Sequence, residues 1–526
     1  MNAVVSSPAL MRLRPLTWVA LLTVGLAGCV IPAKVQHPVL HDDVPLAGLQ
    51  VPTRADWPAN EWWRVYNDPQ LDALIGLAMK QSPDLAQAHA RVLTAEQSVR
   101  VAAAQAGLSI HGNAQLTRQR MSDHGLFPPS LLGFDWYNQA DLGVQLEYDF
   151  DWWGKKRKSI EAALDQAHAA QAQRSAAALT LQNAVADTYF GWLADESRLT
   201  LAKQSVAVQQ RLLQIAQLRV KQGVDLPDTV QQARSQLAAM QQSQVTLEGS
   251  IELRKVVLAA LANVSPADLP ALEPHTLPRI EGALPDDVRL DLIARRPDIA
   301  ASRWQVEAAL KQTDVARAEY FPDVSINAMA GLSSTNQGSP NIPGLLKGTT
   351  GDLGNLFTAG SRVFGITPAV HLPIFEGGRL KANYGASRAQ LDASIAQYNV
   401  TVTDAARDVA TQAVIAQQIA ARRSKQEAQV KANQALLATA QARQAHGTQD
   451  ARESLAAEAQ WLQQRDQAVS LHAQALSTDL ALIKALGGGY HSDIEPTTSD
   501  NRAVPAATSS TASTSNLAGA PNHERL

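Results

Sequence analysis

One thiol, one stretch bearing histidine and aspartate, and a few acid-rich turns are the places where this chain of 526 residues could do chemistry. Cys29 is the only cysteine, so an intramolecular disulfide is excluded and a thiol-directed modification remains. Arg12 and Arg14 precede the apolar run LTWVALLTVGLAG, residues 16 to 28, and Cys29 follows at once. That order of charged, apolar and small residues is a secretory signal. The run is too short for a bilayer-spanning helix, which needs about 20 residues. Leu26-Ala27-Gly28-Cys29 resembles a bacterial lipoprotein box, which implies cleavage before Cys29 and acylation of its thiol and new amino group. The alternative is a plain secretory signal with an incidental cysteine. His37, His41, Asp42 and Asp43 have metal-ligand side chains without ligand spacing, so they point to no metal. HExxH, P-loop and nucleophile-elbow patterns are missing, which argues against an enzyme, and no cofactor is expected.

A second set of ionisable residues lies on a strand. In DLGVQLEYDFDWWG, residues 141 to 154, Leu142, Val144, Leu146, Tyr148 and Phe150 alternate with Asp141, Gly143, Gln145, Glu147 and Asp149. This is the period of two of a strand with one apolar and one polar face. Residues 108 to 118, LSIHGNAQLTR, alternate in the same way. Two further alternating runs occur at about 324 to 333 and 363 to 373, so four strands are expected, near 108–118, 140–150, 324–333 and 363–373.

The elements that hold these strands are helical. Helical periodicity runs from about Gln70 to Gly107. No proline occurs from Lys155 to Gln222, and a helix of that length would reach roughly 100 Å. Leu199, Ala202, Val206, Gln209, Leu213, Ala216 and Val220 are spaced three and four apart, the seam of a coiled coil. Gly223 and Pro227 break it, and a return helix is expected to about Ala262. Pro83-Asp84-Leu85-Ala86 reappears as Pro297-Asp298-Ile299-Ala300, and a second proline-free run from Phe375 to Ala485 breaks at His446-Gly447-Thr448. The chain therefore reads as a tandem repeat. Its segments are a signal (1–28), an N-terminal linker (29–69), repeat 1 (70–262, with its hairpin at about 155–262), repeat 2 (263–486, hairpin at about 376–486) and a C-terminal segment (487–526). Ser, Thr, Ala, Pro and Asn dominate that last segment, which is expected to be mostly disordered.

Composition narrows the function. A net charge of −3 and a pI near 6.5 give no basic surface for nucleic acid. Aromatics at 5% beside abundant Ala and Gln favour long helices. With no transmembrane helix beyond the signal, a membrane could be crossed only by strands closed into a barrel. Four strands do not close alone, since single-chain barrels begin at about eight. Two copies would give a filled barrel and three a water-bearing one, and the trimer is preferred. Asp141, Glu147 and Asp149 then face an aqueous lumen, and the even positions face lipid. A soluble sandwich would leave the lipoprotein signal and the long hairpins unexplained. Charged and Gln-rich helices are excluded from lipid and must project into the periplasm.

Five stretches carry a resemblance. They are the box at Cys29; Trp62-Trp63-Arg64-Val65-Tyr66-Asn67-Asp68-Pro69 with Leu71-Asp72 and Leu74-Ile75; the joint Asp151-Trp152-Trp153-Gly154-Lys155; its counterpart Pro373-Ile374-Phe375-Glu376-Gly377-Gly378-Arg379; and Leu486-Gly487-Gly488-Gly489-Tyr490. From Cys29 to about Tyr490 the chain resembles the TolC-like outer-membrane efflux protein family, and more closely its NodT-type lipoprotein branch. The resemblance implies a mainly α fold with a membrane β-barrel: a homotrimeric twelve-strand barrel in the outer membrane, continued by a twelve-helix periplasmic tunnel, with an equatorial collar from the N-terminal segment, residues near 263 to 297 and the C-terminal end. It implies a passive exit duct for drugs or toxic small molecules, with a periplasmic adaptor and an inner-membrane transporter as partners.

The same resemblance places adaptor contacts at the hairpin tips, here Gly223, Val224, Leu226, Gly447 and Thr448. It places a constriction near the second tip, where the family often has Asp nine residues past the turn glycine and this chain has Ala456. Asp450, Glu453 and Glu458 are then the candidate acidic rings, with Arg452 as a tether; solvated outer-face acids are the alternative. Trp136, Tyr137, Trp152 and Trp153 suit interface belts at the two strand ends, or, for the second pair, packing at the barrel-to-tunnel joint. A lipid-anchored structural coiled coil and the duct of a protein secretion system are the rival readings.

Overall fold

Side-chain caps start several helices of the computed structural model, which describes residues 38–40, 57–124, 128–280, 295–338 and 351–491. Cys29, His37, His41, Asp42, Asp43 and the tail beyond His491 lie outside the described residues. All described residues belong to one compact unit, Met1–Ser492, and the second unit, Asp493–Leu526, falls outside them.

A 3₁₀ turn, Trp62–Tyr66, leads into α1 (Pro69–Gln81). The Asp68 carboxylate accepts from the backbone N–H of Gln70 (3.0 Å) and Leu71 (3.2 Å), satisfying two of the orphan donors of α1. The single helix expected over residues 70 to 107 is two helices, because Ser82 is extended (φ −61°, ψ 123°) and caps α2 (Pro83–Ala106). A residue before proline is disfavoured in the helical region, and proline fits the first helical position, where its missing N–H costs nothing.

Four strands fall near the four alternating runs: β1 (Ser109–Arg120), β2 (Trp136–Phe150), β3 (Asp323–Thr335) and β4 (Arg362–His371). They form one antiparallel sheet in the order β1-β2-β3-β4. β2 starts at Trp136 rather than near 140, because its ladder with β1 continues to Arg120↔Trp136 beyond the point where alternation fades.

The long helix α3 (Lys155–Lys221) starts where Asp151 accepts from the N–H groups of Lys156 and Arg157, each at 2.9 Å. It turns back as α4 (Pro227–Leu261). α5 (Pro297–Ala318) precedes β3, and the second hairpin is α6 (Arg379–Ala445) and α7 (Ala451–Ala485). Both outgoing helices have 67 residues and both return helices 35. Toward the hairpin ends the helices stand in the order α4–α3–α7–α6, and toward the strands in the order α2–α3–α5–α6. No helix of the described residues is long and apolar enough to cross a membrane.

α3 is gripped along two stripes rather than one. Leu199 of the expected seam joins the core shared with Leu247 and Ile251 of α4. Leu201 and Val208, off that seam, pack with Leu455 and Leu462 of α7. A 3–4 count finds one neighbour of a helix; α3 has neighbours on both sides.

The largest core gathers Trp62, Tyr66, Leu71 and Ile75 against Tyr189, Phe190, Trp192 and Leu193 of α3. Leu269, Leu272, Leu277 and Ile280 pack on the same core. Residues 264–280 thus form a strap over the first half of the chain, although the tandem count assigns them to the second. At the other end Gly487 and Gly488 are buried. A Cβ on Gly487, Gly488 or Gly489 would strike the Arg295 carbonyl, the Leu179 side chain or the Ala59 backbone respectively. The glycine run at 487–489, the start of the C-terminal segment, is thus packed into the fold.

Candidate functional site

Each hairpin ends in the same backbone turn. Gly223 (φ +72°) and Gly447 (φ +69°) adopt a left-handed conformation that side chains other than glycine enter at a cost. The N–H of Val224 bonds to the Arg219 carbonyl (2.9 Å) and that of Thr448 to the Arg443 carbonyl (3.0 Å). These are the reach-back bonds that close the last helical turn. A Cβ on either glycine would meet nothing within 4 Å, so both turns stand in open space. Val224 (58% exposed) and Leu226 (70%) project from the first turn. Thr448 is tied to the Arg443 carbonyl through its hydroxyl at 3.0 Å.

Behind the turns, four charges join the hairpins. Arg219 of α3 holds Asp225 with two parallel bonds, 2.8 and 3.0 Å, the bidentate geometry that guanidinium and carboxylate favour. Arg219 also lies 3.6 Å from Asp450, the cap of α7, and Arg452 lies 2.9 Å from Asp450 and 3.6 Å from Asp225. Two arginines and two aspartates thus alternate in a closed ring across both tips. The Arg219 guanidinium holds the Asp225 carboxyl below its ordinary range, and the N–H and guanidinium of Arg452 do the same for Asp450.

Of the expected constriction residues, Asp450 and Arg452 meet in this ring. Glu453 is instead bonded by Gln449. Glu458 stands two heptads before His472, whose ring bonds the Pro278 carbonyl of the strap at 2.9 Å. The ion-pair partners of Arg452 are Asp450 and Asp225, so Glu458 is not part of this ring. Sequence reasoning missed Arg219 and Asp225. The available signal was an arginine in the last helical turn with an aspartate in the turn itself; its link to Asp450 crosses about 230 residues.

The helical row has two different faces. One is covered: Trp62 donates to Gln182 (3.3 Å), Tyr66 to Asp479 (2.6 Å), and Tyr189 and His275 are 3.1 Å apart. On α3 that face is the stripe of Gln182, Ala186, Tyr189 and Leu193. On the side of α3 turned away from that stripe, Asp187 is exposed and Gly191 and Arg198 are half-buried; they line a polar depression with Arg254 of α4 and Ser470 and Gln474 of α7. There Asp195, only 6% exposed, accepts from Ser250 (2.7 Å) and Arg254 (2.6 Å), and Arg198 grips Asp466 at 2.8 and 3.2 Å.

The sheet also has two faces, set by register. Asp141 faces Gln115 and Ser333, Glu147 faces Ser109 and Asn327, and Asp149 faces Ser325. Asp141 accepts from Ser333 Oγ (2.7 Å) and Gln139 Nε2 (2.9 Å), and Asp149 pairs with Lys156 (3.1 Å). On the opposite face Leu146 meets Ile110 and Ala328, and Phe150 meets Val324. β1 and β4 each have one strand partner among the described residues. Of the tryptophans at the strand ends, Trp153 donates to the Pro322 carbonyl (2.9 Å) and stacks on Phe321 at 4.6 Å, so it packs at the joint. Trp152 stays exposed, and Trp136 lies under the Arg118 guanidinium.

Comparison with known proteins places this geometry among relatives. The family model described as outer membrane efflux protein matches residues 74–264 and 289–488. The multidrug resistance outer membrane protein MdtP of Escherichia coli K12 is 31% identical over 484 residues, spanning 89% of this chain and 95% of that protein. MdtQ of Escherichia coli O157:H7 is 30% identical over 488 residues, spanning 89% and 97%. The outer membrane protein VceC of Vibrio cholerae superposes with a TM-score of 0.71 at 30% identity, over 82% of this chain and all of that one. The open-state MtrE outer membrane channel of Neisseria gonorrhoeae gives 0.72 at 25% identity, over 88% and 98%.

Proposed function

The chain belongs to the outer membrane efflux protein family, and from that premise we propose that three copies assemble into the passive exit duct of a tripartite pump. It is an efflux protein of the bacterial outer membrane. The observation that carries the assembly is the sheet: apolar on one face and polar on the other, with β1 and β4 each lacking a second neighbour among the described residues. Unpaired edges are not tolerated in lipid, and four strands are too few to close. Pairing β4 of one copy with β1 of the next makes a twelve-strand barrel, with Asp141, Glu147 and Asp149 toward water and Leu142, Val144, Leu146, Tyr148 and Phe150 toward lipid.

The helical rows continue it as a twelve-helix periplasmic tunnel. Their strap-free face lines the lumen, and the strap with the Trp62–Tyr66 turn forms an outer collar. The family match to two successive segments of about equal length supports the tandem reading. Gly223, Val224, Leu226, Gly447 and Thr448 form the docking surface for a periplasmic adaptor, which couples the duct to an inner-membrane transporter. The Arg219–Asp225–Arg452–Asp450 ring holds the two tips of each protomer together at the tunnel end. Cys29 carries the lipid anchor.

Protein purified in detergent should crosslink as a trimer and conduct in planar bilayers once the tip ring is opened by Arg452→Ala. A monomer that never conducts would overturn the duct. Cys29→Ser should remove the acyl mass; unchanged mass and processing would sink the anchor.

A further inference from the structure

Midway along the helices, the uncovered face opens into a groove of about 690 Å³ between α3, α7 and α6. Arg198, Arg422, Lys425 and Asp466 are its charged walls, and Gln418, Gln426, Gln429, Gln467 and Gln474 supply amides. Asp466 is occupied by both donors of the Arg198 fork. Gln426 is spent on the Gln464 carbonyl and side chain. Arg422 and Lys425, one helical turn apart on α6 and both exposed, carry no hydrogen bond or ion pair among the described residues. The one acid of the groove is therefore neutralised in place, and two cations remain uncompensated.

From this arrangement we propose that the groove is a binding site for drug-sized organic anions, carboxylates or sulfonates, on their way through the duct. The inference rests on the reading of the strap-free face as the lumen wall. The groove's volume lies in the range that takes a drug-sized molecule, about 300–1,000 Å³. Its lining pairs amides that donate to anionic oxygens with the exposed methyl of Ala421, which an aromatic or alkyl body can cover. Repeated by threefold symmetry, Arg422 and Lys425 make a belt of positive charge in a confined aqueous space, where like charges focus the field and concentrate counter-ions. Glu427 and Arg423 do not contribute, because they line the opposite side of the helical pair, beside His472.

The site attracts without trapping. Exposed ammonium and guanidinium groups in water attract an anion through screened Coulomb terms, so cargo is held weakly and released readily. Neutral and cationic cargo has no such stop and passes the groove unretained.

The test uses full-length trimer in detergent, with dansylate as the anionic probe and a naphthyl trimethylammonium as the cationic one, followed by fluorescence anisotropy. Dansylate should bind the unaltered protein and bind about tenfold more weakly to Arg422→Gln/Lys425→Gln. Arg422→Lys/Lys425→Arg should restore the affinity, since charge and not shape carries it, and rising salt should weaken binding in step. Equal dansylate affinity in the unaltered and double-Gln proteins overturns the proposal, as does equal binding of the two probes. Planar-bilayer conductance, read on the same trimer carrying Arg452→Ala to open the tip ring, separates the two readings. A trimer that binds dansylate but never conducts refutes the duct and leaves the groove, whereas one that conducts without charge-dependent binding refutes the groove alone.

Discussion

The two hairpin tips have one backbone and two surfaces. Gly223 and Gly447 share the left-handed turn and the same reach-back bonds, and the helices behind them match residue for residue in length. Yet the first turn reads Val224-Asp225-Leu226-Pro227 and the second Thr448-Gln449-Asp450-Ala451. The first exposes two aliphatic side chains and starts its return helix with proline; the second exposes a hydroxyl and caps its helix with a carboxylate. The difference teaches that glycine sets the shape of a tip while the next three residues set its chemistry. In a threefold assembly, apolar and polar tips alternate around the rim, and a partner must meet two kinds of site.

Breaking the shared part should have the largest effect. Gly223→Asp or Gly447→Asp places a branched, charged side chain on a positive-φ turn, and either should abolish adaptor crosslinking while trimers persist on native gels. Breaking the unshared part should discriminate. Leu226→Ser removes an exposed anchor and should weaken adaptor binding about tenfold, the usual scale of a lost contact residue. Thr448→Val should change it by about twofold or less, since isolated surface changes stay within about 0.5 kcal/mol. Comparable losses at both sites in a pull-down titration would show that the tips are not chemically distinct.

The ring joining the tips makes a third prediction. Arg452→Gln frees Asp225 and Asp450 from one of their two arginines and should raise bilayer conductance several-fold; unchanged conductance would show that the ring ties tips without narrowing the tunnel. Both aspartates titrate below their ordinary range. Their contribution is therefore complete above about pH 4, the unfolded carboxylate value, and is lost as pH falls through the lower folded value. Conductance should stay flat from neutral pH to about pH 4 and rise only below it.

The smallest effect lies at the other end of α3. Asp165, 8% exposed, is pushed up to about 6 by burial, with Glu307 and Glu161 adding to the shift and Lys311 opposing it. Here the sign reverses, because the folded state holds its proton more tightly than the unfolded one. The contribution of Asp165 to stability is greatest below about pH 4 and is lost as pH rises through about 6. Asp165→Asn should raise the melting temperature by a few degrees at pH 7 and by less at pH 4.5. An equal gain at both would assign the effect to packing.

Much of this was legible because it is local. Alternation placed β3 and β4 within two residues, and proline-free runs bounded by Gly223 and Gly447 placed both hairpins. The break at Ser82 was written in its Ser-Pro pair and was overridden by the periodicity around it. What stayed hidden depends on neighbours distant in sequence. Leu201 and Val208 look like ordinary off-seam positions until α7 is beside them. Leu269, Leu272 and Leu277 have no regular spacing because a strap is moulded by the surface it crosses. Arg219 needed Asp450 beside it.

The glycine run at 487–489 has a consequence for how the molecule comes to exist. Its close approaches to Ala59, Leu179 and Arg295, with the bonds from Tyr66 to Asp479 and Asn183 to the Leu480 carbonyl, buckle the end of α7 and the glycine run onto the Trp62–Tyr66 turn and α3. A chain that emerges into the periplasm from its N-terminus cannot finish its main core until residue 489 has arrived. A chain shortened before residue 479 lacks this buckle and leaves the Tyr66 hydroxyl without its Asp479 partner.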